Sequence, residues 1–182
     1  MNRQRAHRVI WLTLVIITVV SFAWALLLQR SFSSPEFVII SFAMYALVGA
    51  VVSWRRPENP IGWVFLWIGV LTGLAGLSGA GTEIALAQGQ PIAWWGVLSA
   101  WFDSWFWNPL FVLATVVTFL LYPSGLASPR WRPVLWLTVG ATVLATALNA
   151  LAPTLNVGDT DQESPDFDPS AFTVDNPFAP GF

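Results

Sequence analysis

The 182-residue chain has no cysteine, no lysine and a single histidine, His7. The missing cysteines exclude disulfides, thiolate metal sites, iron–sulfur clusters and cysteine nucleophiles. One histidine excludes haem ligation by a histidine pair from a single copy. Charge is scarce: Asp, Glu, Lys and Arg make up 10% of the residues, against about 25% in an ordinary soluble domain. The sequence holds no HExxH, no glycine-rich phosphate loop, no serine–histidine–acid set and no acid pair inside an apolar run. No catalytic, cofactor-binding or metal-ligating residue is therefore nominated. No basic patch is interleaved with accessible aromatics, so nucleic acid is not an expected partner.

What the chain does have is apolar length, with 55% of its residues hydrophobic. A helix crossing ~30 Å of hydrocarbon needs about 20 apolar residues. The runs 9–29, 37–54, 61–81, 109–122 and 134–151 predict five transmembrane helices. The expected fold is an all-α polytopic membrane helical bundle. Residues 1–8 form a basic cytoplasmic tail, 9–151 the membrane domain, and 152–182 an acidic, proline-rich extracytoplasmic tail without fixed structure. The first run has a rival reading as a cleaved secretory signal ending at Ala23-Trp24-Ala25, but it continues through Leu26, Leu27 and Leu28.

All side-chain cations apart from His7 are arginines. Arg3, Arg5, Arg8, Arg55, Arg56, Arg130 and Arg132 fall in the N-terminal tail and in every second connection, while Arg30 falls alone on the opposite side. Every acidic residue except Glu58 lies opposite the arginines. The positive-inside bias then predicts a cytoplasmic N-terminus and an extracytoplasmic C-terminus.

Several residues have definable local roles. Asn59 is placed to cap the third span, Pro60 suits its first position, and Gly62 and Trp63 follow, with Trp63 at the interface. In the second arginine-bearing turn, Pro123 and Gly125 stop a helix, Trp131 anchors between Arg130 and Arg132, which face anionic headgroups, and Pro133 opens the fifth span. Gly69, Gly73 and Gly76 recur on one face of the third span, a close-packing surface for a neighbouring helix. Thr138, Thr142, Ala145 and Asn149 make a similar stripe on the fifth, spaced to hydrogen-bond across helices.

Residues 91–108 hold five of the twelve tryptophans. At helical spacing Trp94, Trp101 and Trp105 share a face, with Asp103 on the other. This predicts an amphipathic interfacial helix, separated by a kink at Pro109 from the span that follows. An aromatic belt is the structural reading. The functional reading is an external ligand face of Trp94, Trp101, Asp103 and Trp105 for a lipid or a cationic small molecule. The acids of the C-terminal tail lack the regular spacing of a calcium loop.

Two turns carry a resemblance. Arg55-Arg56-Pro57-Glu58-Asn59-Pro60-Ile61-Gly62-Trp63, and Leu120 to Pro133 with its Tyr122-Pro123-Ser124-Gly125 core, resemble the N-terminal membrane region of bacterial sensor histidine kinases. The Asn176-Pro177 segment is similar to one that follows the fifth span there. The family's proline–aspartate–glycine–arginine turn is replaced here by Pro123-Ser124-Gly125-Leu126. The resemblance implies a non-catalytic sensor or input domain in the bacterial plasma membrane, shorn of the kinase domains that would be its output. The partners expected are the lipid bilayer, a lipid or small-molecule ligand, and a second copy in a homodimer. A small transporter or channel subunit is the alternative; a membrane enzyme ranks last.

Overall fold

The computed structural model describes residues 3–28, 36–88, 92–122, 128–156 and 173–181. The chain folds as an all-α helical bundle with one small β-ribbon. The helices are α1 (Arg3–Leu28), α2 (Glu36–Arg55), α3 (Pro60–Ala87), α4 (Trp94–Trp105), α5 (Trp107–Val112), α6 (Thr118–Leu121) and α7 (Arg132–Ala150). A π-helical turn, Leu113–Val117, joins α5 to α6, and a 3-10 turn, Pro129–Trp131, leads into α7. Strands β1 (Thr154–Asn156) and β2 (Thr173–Asp175) pair antiparallel, with Leu155 opposite Val174. Among the described residues, Arg5–Leu27, Pro60–Thr82, Trp94–Leu121 and Pro129–Ala150 are long and apolar enough to cross a bilayer, so this is a membrane protein. In α2, 20 residues long, the described apolar stretch is shorter, Ala43–Arg55.

α3 is the central helix and packs against α1, α2 and α4. It is apolar on all sides, as a helix enclosed by others must be. Ile68 points into one core with Phe106, Leu110 and Val117, while Leu66 joins a second with Leu14 and Val70. Residues two apart on a helix point in different directions, which is why one helix serves both cores.

Small residues set how closely the helices approach. On the α2–α3 seam, Gly49 lies against the backbone of Leu66, Gly62 against that of Ser53, and Gly69 against Ala46. Gly73 faces Ser21 and Phe22 of α1, and Gly76 faces Ala25. The three glycines read as one packing face therefore divide between two neighbours. Further along, Gly81 meets Ser99 of α4, and Gly96 of α4 meets Ala85.

Two expectations change. The first is the break at Pro109. Phe106, between α4 and α5, keeps right-handed helical angles (φ −62°, ψ −26°), and helix runs on through Pro109. Proline removes its own amide donor and crowds the carbonyl one turn back; here that carbonyl, of Trp105, receives the Asn108 side-chain amide at 3.4 Å. Phe106 and Leu110 are buried against α3 on either side, which holds the helix to the bundle. The perturbation falls instead at the π-helical turn, where Thr118 Oγ1 donates to the Leu113 carbonyl at 2.7 Å.

The second is the C-terminal tail, whose two ends are ordered. Leu155 is fully buried and packs with Ala100 of α4. Composition pointed to a solvated segment, and the acidic stretch between the two strands lies outside the described residues.

The described arginines gather at one end of the bundle; Arg30, expected on the opposite side, lies outside the described residues. His7 packs edge-on against Trp63 at 4.7 Å and Trp11 against Trp54 at 4.8 Å. The start of α1, the end of α2 and the start of α3 therefore coincide. The C-terminus of α7 meets α4 near Trp101, so its first turn, with Arg132, and the 3-10 turn before it, with Arg130, point to the arginine end.

Candidate functional site

The opposite end gathers the sequence-predicted ligand face. Of its residues, Trp94 is 74% exposed in the first turn of α4. Trp101 is instead covered. Its Nε1 donates to the Ala150 carbonyl at 2.8 Å, and its ring lies 4.9 Å from Phe178 and 5.5 Å from Trp105. Trp105 sits 5.0 Å from Phe102, and its indole N–H is buried without a hydrogen-bond partner among the described residues. Asp103 faces the other way, toward α3, with its carboxyl in hydrogen-bonding reach of Ser78. The four residues thus separate: Trp101 and Trp105 form an aromatic group that α7 and the tail close over, Asp103 lies at the α3–α4 seam, and Trp94 stays exposed.

That seam is polar. Ser78 Oγ donates to the Ser99 carbonyl at 2.7 Å, and Thr82 Oγ1 to the Ser78 carbonyl at 3.2 Å. A cavity of about 230 Å³ opens here, walled by Leu74, Ser78, Leu98, Ser99 and Phe102. Gly81 and Gly96 bring the two backbones close enough for these short side chains to reach across.

The tail closes the aromatic group. Asn176, 6% exposed, donates through Nδ2 to the carbonyls of Ala150 at 2.9 Å and Ala152 at 2.7 Å, and its Oδ1 accepts the Phe178 amide. Orphan carbonyls at the end of a helix need donors. Asn176 and Trp101 Nε1 supply them at the end of α7, and the asparagine also turns Phe178 onto Trp101. Asn176 belongs to the asparagine–proline segment visible in the sequence, yet only the folded chain shows what the asparagine binds.

The turn residues are accounted for one by one. Asn59 Oδ1 accepts the Ile61 amide at 3.0 Å, with Pro60 as the first residue of α3. Trp63 Nε1 donates to the Pro57 carbonyl at 3.0 Å, and Gly62 serves the α2–α3 seam. Pro133 lies in the first turn of α7, Trp131 is exposed, and the Ser128 side chain caps the 3-10 turn by accepting the Arg130 amide. Pro123 and Gly125 lie outside the described residues. The Thr138–Asn149 stripe bonds within its own helix rather than across: Thr142 Oγ1 donates to the Thr138 carbonyl and Asn149 Nδ2 to the Ala145 carbonyl. Hydroxyls in a helix reach the carbonyl one turn back more readily than a neighbour not closely packed.

Sequence reasoning missed Gly49, Trp11 and Ser53. Trp11 Nε1 donates to both the Ala50 carbonyl and Ser53 Oγ at 3.1 Å, tying α1 to α2. No group of three histidines, cysteines or acids that would hold a metal ion occurs among the described residues. Comparison with protein families, curated proteins and solved structures returns no match.

Proposed function

We propose that the chain is a non-catalytic membrane input domain of the kind its resemblance to sensor histidine kinases implies. Its arginine end is cytoplasmic and its docked tail extracytoplasmic, in the orientation the positive-inside bias favours. The observation that carries this reading is the tail clamp. Asn176 and Phe178 hold the tail to α7 and Trp101, while Ser78 ties α4 to α3, the centre of the bundle. A ligand that competed with Phe178 for the Trp101–Trp105 face would favour a different α4 packing, and only such a difference in affinity between two packings moves an equilibrium. Trp105 offers that ligand a buried, unpartnered donor.

The test joins the chain, through an added membrane span, to a cytoplasmic histidine kinase. Trp101→Ala or Asp103→Asn is expected to change autophosphorylation several-fold at equal membrane expression. An active chimera indifferent to both substitutions would refute the input role. The transporter or channel alternative draws on one observation: Asp103 sits on a helix continuous with an apolar span, where an ionisable group commonly marks a solute path. Flux in proteoliposomes that is lost in Asp103→Asn would favour that alternative.

A further inference from the structure

We propose that the groove between α1 and α2 binds one phospholipid with an anionic headgroup, its acyl chain on Leu66 and its phosphate on Arg55. This inference is independent of the input role. α1 and α2 both pack on α3 but touch each other only lightly, leaving an apolar cavity of about 420 Å³ walled by Val15, Val19, Leu26, Ala43, Leu47 and Leu66. Ala50 is common to this cavity and to a second one of about 410 Å³, whose walls include Trp11, Trp54 and Arg55. An apolar trough thus leads to an arginine.

Its dimensions select the occupant. From Ala43 to Arg55 the helix rises ~18 Å, close to the ~15 Å of hydrocarbon in one leaflet. The apolar cavity itself runs ~16 Å between Val15 and Leu26, a length that suits an acyl chain within one leaflet. The headgroup end has matching chemistry. The exposed Arg55 guanidinium has no acidic partner among the described residues, whereas the neighbouring Arg56 lies 4.0 Å from Glu58. A guanidinium pairs with phosphate oxygens in a two-pronged geometry. Trp11 and Trp54, packed together beside it, have the amphipathic rings suited to headgroup depth. The wall is already built, because Trp11 is held by Ala50 and Ser53 of α2.

The absence of cysteine makes the test clean. A fluorophore on Leu47→Cys reports from the groove of the full chain in phosphatidylcholine nanodiscs containing tail-spin-labelled phosphatidylglycerol or tail-spin-labelled phosphatidylcholine. The anionic lipid is expected to quench at a mole fraction about fivefold lower, the preference one arginine near an anionic lipid confers. Arg55→Gln should erase that preference, Arg130→Gln should retain it, and a label on Leu144→Cys, on the exposed face of α7, should show none. Equal quenching by the two lipids at residue 47, or the same loss with Arg130→Gln as with Arg55→Gln, overturns the proposal.

Discussion

The α2–α3 seam and the contact of α7 with the bundle are made from similarly apolar helices, yet they differ in kind. At the first, glycines bring backbone against backbone, and Gly49, Ser53, Gly62 and Gly69 are all buried. At the second, α7 leans on α4 and α5 without burying any of its residues, and Trp136, Leu137, Val143 and Leu144 point outward. In lipid, apolar surface gains little by leaving its surroundings, so helices associate through close packing and hydrogen bonds. Gly62, Gly69, Gly73 and Gly76 of α3 have partners for that. Gly140 of α7 has nothing near it.

The sharpest way to break this contrast is a pair of glycine substitutions. Gly49→Val places side-chain atoms where the Leu66 backbone lies, and should cost about 3 kcal/mol or abolish folding, since overpacked sites relax poorly. Gly140→Ala meets open space and should be neutral or stabilising by up to about 1 kcal/mol. Denaturation in mixed micelles reads both; equal effects would mean that close approach does not set the seam.

Asn176→Ala asks whether α7 depends on its clamp. It leaves the Ala152 carbonyl without its donor, while Ala150 keeps Trp101 Nε1, a loss of about 1–3 kcal/mol confined to the tail and the last turn of α7. Amide exchange should speed up at residues 154–156, with α3 unchanged. Acceleration spreading into α3 would show the two regions to be one cooperative unit.

Ser53→Ala should have the smallest effect among the destabilising substitutions. Trp11 Nε1 keeps the Ala50 carbonyl, so the losses are its bond to Ser53 Oγ and that hydroxyl's own bond to the Gly49 carbonyl, about 0.6 kcal/mol each within a membrane. A loss above about 1.5 kcal/mol in the same denaturation measurement would mean that polar contact, rather than glycine packing, dominates the α1–α2–α3 end.

Much of the fold was legible because lipid imposes simple rules. A run such as 61–81 has to satisfy its backbone internally, so it reads as a helix without reference to any partner. Asn59-Pro60 reads as a helix start because a cap acts within one turn. The candidate site was half legible. The periodicity that grouped Trp94, Trp101 and Trp105 is real, but periodicity describes an isolated helix. Phe178, 77 residues beyond Trp101 in the chain, covers it, and no local pattern announces that pairing. The expected break at Pro109 is absent for a similar reason: proline lowers the cost of a kink, but burial of Phe106 and Leu110 on α3 outweighs it.

By itself the sequence determined that this is a membrane protein of apolar helices, and that its arginines alternate between connections. Both follow from composition and spacing, which act locally through transfer of side chains and backbone from water to lipid. Only the tertiary structure decided that α3 is the hub, that its glycines serve two neighbours, that the tail returns to clamp α7, and that α1 and α2 leave a groove ending at Arg55. Each of those depends on which apolar surfaces fit together, and shape complementarity between distant segments is not written into any one of them.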